Sequence, residues 1–353
     1  MIRLIQQNVF LGIIIVVLII VIATYVINKN KKESEETIVR EFYGFGTIIR
    51  LRVDGRNGEK AIQEAVDRLN IIENKMSVFK EFSEVSMINK NAGVSGQEVS
   101  SDTFFLIKKA VEYSELSEGT FDPTIMPIVS LWRIGSDNPR MPSKREIERT
   151  LKLVNYEDII INEKSHSIGL KHRNQAIDVG GIAKGYAADE VKNVFENHKI
   201  NSALIDLGGN IYALGTKPDK NLWNVGIQNP FDTRGEHIGV ISVENKSIVT
   251  SGNYERYFTK GGKIYHHIID PKTGYPSESE VISSTIISDH SIDGDGLSTG
   301  VYIMGLEKSI KLIESLKGID AIFITKNKEV YATSGIKNSF NITNTEFIYK
   351  DNL

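Results

Sequence analysis

Ile177-Asp178-Val179-Gly180-Gly181-Ile182-Ala183-Lys184-Gly185-Tyr186 places a carboxylate, two adjacent glycines and a lysine at the mouth of a helix. Downstream, Ile182, Tyr186, Ala187, Val191, Val194 and Phe195 recur at helical spacing, so the glycines fall at a strand-to-helix turn. Backbone N–H groups at such a turn lack intrahelical partners and attract anions, phosphate among them. Lys184 sits in the first turn, where a cation opposes the helix dipole, and that points to a negatively charged ligand. The plainer reading is a surface lysine after a Gly-Gly turn.

A second segment bears on that choice. In Ser291-Ile292-Asp293-Gly294-Asp295-Gly296-Leu297-Ser298-Thr299, Asp295 and Thr299 are spaced i, i+4, which puts a carboxylate and a hydroxyl on one helix face. Mg²⁺ and other hard cations take such oxygens and share substrate phosphates. Asp295 alone also reads as a helix N-cap. Together with an anion-binding turn, the pair suggests a metal-bridged pyrophosphate.

Outward from these segments the chain alternates helices and strands. Ile49, Leu51 and Val53 alternate with Arg50 and Arg52, which makes 47–53 a half-buried strand. A helix follows with Ile62, Ala65, Val66, Leu69, Ile72 and Met76 on one face, and further helices are expected over 102–117, 186–198 and 297–317. Strands are expected at 203–207, 238–243, 247–251, 264–269, 282–288, 320–325 and 329–333. IDVGG at 177–181 and IDLGG at 205–209 are nearly the same pentapeptide, and both are expected to end strands in glycine turns near one cleft.

Before this domain, the 19 residues from Val9 to Ile27 carry no charge. At about 1.5 Å per residue they reach roughly 28 Å, enough to cross a hydrocarbon core. We read 1–8 as a short N-terminal segment, 9–27 as a transmembrane anchor, 28–41 as a charged tether and 42–353 as one catalytic domain. The run is long for a cleaved signal peptide and no A-x-A site follows it. With no cysteine in the chain, a lipidated anchor and disulfides are both ruled out. Arg3 lies before the span and Lys29, Lys31 and Lys32 after it, so the positive-inside count leans toward a cytosolic domain. Without those four residues the 42 Lys+Arg become 38 against 45 Asp+Glu, and that acidic balance argues against nucleic acid as a partner. No GxGxxG dinucleotide turn is present.

From about residue 42 onward the sequence resembles the flavin transferases of the ApbE type, which move FMN from FAD onto a protein hydroxyl. The resemblance rests on six blocks in order: GTFDPTIMPIVSLW at 119–132, IDVGGIAKGYAADE at 177–190, LIDLGGNIYALG at 204–215, TSGNYERYF at 250–258, HHIIDPKTGYP at 266–276 and DGLSTGVYIMG at 295–305. It implies an α+β fold, a large mixed α/β domain of the T-fold-like ApbE type, behind the single membrane helix. It also implies a domain on the outer face of the cytoplasmic membrane, against the charge count, with FAD as substrate and Mg²⁺ as cofactor. The implied partners are flavin-acceptor proteins such as redox-pump subunits or electron-transfer proteins.

Residue by residue, the resemblance implies Asp295, Thr299 and the backbone carbonyl of Gly181 as metal ligands, the last because no Cβ blocks close approach. Gly181 also reads as an ordinary turn glycine. Asp178 and Lys184 match FAD contacts with catalytic roles, Asp178 accepting sugar hydroxyls and Lys184 neutralising pyrophosphate charge. Thr120, Phe121 and Asp122 match further FAD contacts, although Pro123 and Pro127 also mark a helix-ending loop there. Phe79 matches a flavin-pocket aromatic or serves as a core residue, Phe45 stands where the family usually has methionine, and Ile269 matches an apolar FAD contact. His267 is the candidate proton acceptor, with a backbone-bonded strand histidine as the alternative, while His266 would face the other way. The remaining histidines lack zinc-ligand spacing. Two other functions fit the same residues: an FAD pyrophosphatase giving FMN and AMP, and a membrane-tethered FAD-binding protein without catalysis.

Overall fold

The computed structural model describes residues 18–24 and 36–350. Nine strands form the central sheet: β1 (Thr37–Gly44), β2 (Thr47–Asp54), β3 (Ser202–Leu207), β4 (Asn210–Gly215), β5 (Lys246–Gly252), β6 (Val281–Ser288), β7 (Ile319–Thr325), β8 (Glu329–Ala332) and β9 (Ile348–Lys350). Each is hydrogen-bonded to the next in chain order. Every pairing is antiparallel except β8 with β9. Helices and a second sheet enter as insertions between consecutive strands, so the sheet is a long meander interrupted by the parts that build the site.

Both faces of the sheet are covered, and β6 is accordingly buried at every position. On one face lie helices α1 (Gly58–Met76), α2 (Ser101–Leu116), α3 (Ala183–Asn197) and α4 (Ser291–Met304). Ile62, Ala65 and Leu69 of α1 and Ala187, Val191 and Phe195 of α3 join Ile49, Leu51 and Val53 of β2 in one core. On the other face a three-stranded sheet, in the order Phe340–Ile342, His237–Val243, Trp223–Gln228, brings Trp223, Val225 and Ile241 against Ala213, Ile248, Ile322 and Ile324. A satellite cluster of Ile128, Trp132, Ile147 and Ile269 completes the domain, with the Trp132 indole donating to the Gly274 carbonyl at 2.8 Å.

In the helix layer α3 and α4 cross closely at Gly185. A Cβ on Gly185 would stand 2.8 Å from Ile292 Cα and 2.7 Å from Asp295 Cβ. The two helices also exchange carboxylates. Asp189 of α3 accepts from the backbone N–H groups of Ser291 (2.8 Å) and Ile292 (2.9 Å), satisfying the start of α4. Asp295 of α4 accepts from Gly185 N–H at 2.8 Å, near the start of α3.

Several sequence expectations need correction. The helix expected over 297–317 is two helices, α4 and Leu306–Ser315, separated by Gly305 in the left-handed region at φ 87°. The strand expected over 264–269 ends at His266, because Asp270 closes a turn by accepting from Gly274 N–H (2.8 Å) and Lys272 N–H (2.8 Å). Residues 37–41 of the supposed tether belong to β1, whose Ile38, Arg40 and Phe42 turn inward while β1 and β2 join through a two-residue Phe45-Gly46 turn with both φ positive. Of the twin pentapeptides, 205–209 ends a strand in a glycine turn as expected, whereas at 177–181 the glycine turn forms but no strand ladder precedes it. Asn89 replaces the ladder there, accepting from Ile177 N–H (2.7 Å) and donating to Ile177 O (2.9 Å).

Within the expected membrane span 9–27, residues 18–24 are helical with exposed side chains, and the rest of the span lies outside the described residues, as do 1–8 and 28–35. Among the described residues no helix is long and apolar enough to cross a membrane.

The crossing makes Gly185→Ala a stability test. Alanine gains about 1 kcal/mol in helix propensity, but its methyl meets backbone that cannot rotate away, and overpacking of this kind costs about 1–3 kcal/mol. We expect urea denaturation to show a net loss of stability, and a gain would contradict the packing described.

Candidate active site

Lys184 and Asp295 meet where α3 and α4 cross. Lys184 Nζ lies 3.2 Å from Asp295 Oδ1, and the Gly185 N–H donates to Oδ2. The carboxylate side chain is 5 % exposed and the lysine 29 %, so the ammonium keeps an open side on which a second anion can sit. As the third residue of α3, Gly185 has an N–H with no carbonyl partner inside the helix. Here it goes to Asp295, and among the described residues no N–H donates to Gly181 O. One turn beyond Asp295, the Thr299 hydroxyl lies 3.2 Å from Ser251 Oγ, which itself donates to Ser298 Oγ at 2.9 Å.

These donors suit a hard cation. The left-over Gly181 carbonyl, the buried Asp295 carboxylate and the Thr299 hydroxyl are all oxygens, the ligand type that Mg²⁺ takes. Among the described residues no group of three His, Asp or Glu side chains gathers at metal-binding distance, so an ion here would depend on the Asp295 carboxylate together with carbonyl, hydroxyl and substrate oxygens.

The glycine turn is built from Asp178. Its Oδ1 accepts from Gly180 N–H at 2.8 Å, while its own N–H donates to Pro123 O at 2.8 Å. Burial raises the Asp178 pKa, and the Gly180 N–H and then the charge of Arg256 pull it back. Phe121 lies under the same turn, with Cε2 3.1 Å from where a Gly181 Cβ would stand.

His267 belongs to this neighbourhood. Its backbone N–H donates to Arg256 O at 3.0 Å, and its Nδ1 lies 3.3 Å from the same carbonyl. A carbonyl only accepts, so that contact puts the proton on Nδ1 and leaves the lone pair on Nε2. Burial, then the Arg256 charge, push the His267 pKa down to about 4, with a smaller contribution from Lys184. The imidazole is therefore neutral at pH 7. His266 is buried, with Nε2 2.9 Å from Ser277 O.

The remaining expected contacts are placed less simply. Asp122 Oδ1 accepts from Thr124 N–H (2.7 Å) and Oγ–H (2.6 Å), and Oδ2 accepts from Tyr156 N–H (3.0 Å). Both oxygens thus serve the fold, and burial pushes the pKa of Asp122 up to about 6. The Thr120 hydroxyl likewise bonds Ser117 O and Gly300 O, at 2.8 and 2.9 Å. Ile269 sits in the satellite core with Trp132. Phe45 occupies the β1–β2 turn, its N–H donating to Glu73 at 3.1 Å. Phe79 is 93 % exposed on the loop after α1, so it is not the core residue that was the alternative expectation. Sequence reasoning brought together Asp178, Gly181, Lys184, Asp295, Thr299 and His267, but it missed Ser251 and Arg256. Both lie in TSGNYERYF, which signalled the segment without singling out those two.

Fold and site together define a mixed α/β domain with one polar centre at the crossing of two helices. Residues 45–323 match the ApbE family model, and the chain belongs to that family. It is 34 % identical over 320 residues to the FAD:protein FMN transferase of Treponema pallidum, covering 86 % of this chain and 88 % of that one. A Klebsiella pneumoniae protein of the same name is 38 % identical over 262 residues, covering 74 % and 81 %. The crystal structure of the ApbE protein from Thermotoga maritima superposes with a TM-score of 0.79 at 31 % identity, covering 86 % of this chain and 99 % of that one. The flavin transferase ApbE from Vibrio cholerae gives 0.77 at 26 %, covering 86 % and 98 %.

The electrostatics of His267 can be checked by pH. A lowered pKa means that the proton-accepting form is present above about pH 4 and is lost as pH falls through that value. Arg256→Gln removes the neighbouring charge, so the His267 midpoint followed by NMR should rise toward the ordinary histidine value of about 6.5. An unchanged midpoint would mean that the guanidinium does not act on the ring.

Proposed function

We propose that this protein transfers FMN from FAD to a serine or threonine hydroxyl of an acceptor protein, releasing AMP. Membership of the ApbE family and the names of its relatives support the flavin transfer, and the Lys184–Asp295–Thr299 centre supports the phosphate chemistry. The acceptor hydroxyl gives its proton to His267 Nε2, its oxygen bonds the FMN-side phosphorus, and the bridging P–O bond breaks with its electron pair leaving on AMP. Lys184 neutralises the charge that grows on the departing phosphate, as a point charge needing no fork geometry. Asp178 orients sugar hydroxyls, and Phe121 presents an apolar face beside the glycine turn. Mg²⁺ would be held by Asp295, Thr299 and Gly181 O, and would supply charge neutralisation and in-line orientation. Phe45, Phe79, Thr120, Asp122 and Ile269 line or shape the FAD site, with Thr120 and Asp122 acting through the loop they hold.

We place the enzyme at the cell membrane, anchored by the apolar run 9–27 with its catalytic domain on the extracytoplasmic side. The partners there are flavinylated subunits of redox pumps or electron-transfer proteins.

The observation that carries this reading is the Lys184–Asp295 contact beside an unclaimed Gly181 carbonyl. Lys184→Met and Asp295→Asn should each lower the transfer rate at saturating FAD by about 10²–10³-fold, while the FAD dissociation constant changes less than tenfold. Near-normal transfer by either variant in excess Mg²⁺ would overturn the assignment.

A further inference from the structure

A separate cleft of about 510 Å³ opens beside the catalytic centre, between the loop after the Trp223–Gln228 strand and the segment that follows β5. Its lining includes Gln228, Phe231, Arg234, Tyr254, Glu255 and Tyr257. That volume falls in the range of sites that take small molecules, roughly 300–1,000 Å³. It therefore suits a few residues of extended chain and not a folded domain.

The position of the cleft gives it a role. One wall belongs to a continuous segment that touches the catalytic centre at two points. Ser251, at its start, contacts the Thr299 hydroxyl, and Arg256, at its end, holds His267 through its carbonyl. Tyr254, Glu255 and Tyr257 flank Arg256 and face the cleft. The opposite wall is braced in advance. Gln228 donates to Thr233 O at 3.0 Å and accepts from Gly235 N–H at 3.1 Å, and Phe231 packs on Phe347 with ring centroids 6.1 Å apart. Arg234 projects from this braced loop toward the Gly208-Gly209 turn, 3.7 Å from where a Gly209 Cβ would stand. Burial raises the pKa of Asp206, and the Gly209 N–H and then the Arg234 charge oppose that rise, yet among the described residues Arg234 makes no hydrogen bond or ion pair. An arginine fork pointing into an open cleft is a ready donor for carbonyl and carboxylate oxygens.

We propose that this cleft binds the acceptor polypeptide. A short extended stretch lies between Tyr257 and the 228–234 loop, Arg234 bonds its carbonyl or carboxylate oxygens, and its hydroxyl reaches His267 at the end of the wall. This rests on the flavin-transfer reading, because only a transferase must admit a polypeptide to the same base that serves FAD. Arg234 and Tyr257 are positioning residues for the acceptor and take no part in holding FAD.

The test uses the full-length enzyme, FAD, Mg²⁺ and, as probe, the apo form of a redox-pump subunit domain that is covalently flavinylated in its mature state. Arg234→Ala and Tyr257→Ala, both changes of surface side chains, are compared with wild type. The expected result is a rise in acceptor KM of about tenfold or more, equivalent to about 1.4 kcal/mol, with kcat at saturating acceptor and the FAD dissociation constant unchanged. Unchanged acceptor KM in both variants would overturn the proposal. Weakened FAD binding would overturn it as well, by making the cleft part of the nucleotide site. If the wild-type enzyme releases AMP without labelling the domain, it is the transferase reading that fails.

Discussion

The exchange of carboxylates between α3 and α4 is the constraint on which the rest of the site depends. Each helix start carries unpaired N–H groups, and each helix answers the other's with an aspartate: Asp189 at Ser291 and Ile292, Asp295 at Gly185. The exchange requires a crossing so close that only glycine fits at position 185. It also places a carboxylate where burial alone would be costly, and an N–H bond with a lysine beside it makes that placement tolerable. The Asp295 bond has a second effect. By taking the Gly185 N–H, an unpaired donor in the first turn of α3, it seats the carboxylate beside Lys184 and next to the glycine turn whose Gly181 carbonyl precedes the helix.

The remaining groups of the proposed site are held through backbone atoms and not by long side-chain networks. Asn89 fixes Ile177 and so sets Asp178, while the Arg256 carbonyl fixes the His267 ring. Groups held in this way need little rearrangement when substrate binds, which is the condition under which fixed charges stabilise a transition state. Burial and a neighbouring guanidinium keep His267 neutral, the state a proton acceptor requires.

Much of this could be read in the sequence, for identifiable reasons. Period-two alternation revealed β2, and helical spacing in 182–195 revealed α3, since both elements bury one face against the sheet. Gly-Gly next to Lys184 and the i, i+4 pair Asp295–Thr299 are local patterns, and so they were visible. The crossing itself was not, because the role of Gly185 depends on residues more than a hundred positions away. Asp122 has the composition of a ligand contact, but which donors claim its oxygens is decided by Thr124 and by Tyr156, thirty-four positions on. The break at Gly305 was hidden because the apolar pattern runs through it, and β1 was hidden because Arg40 interrupts its inward row while Val39 and Tyr43 face outward. Trp223, Val225 and Ile227 do alternate, and the strand they form went unread.

The central claim is that the crossing of α3 and α4 passes a flavin phosphate to a protein hydroxyl. The most direct measurement is the mass of an acceptor domain followed alongside AMP release, with the full-length enzyme, FAD and Mg²⁺. The account predicts that acceptor mass rises by one FMN for every AMP released. AMP and free FMN appearing together while the acceptor mass stays unchanged would contradict it and assign the site to hydrolysis.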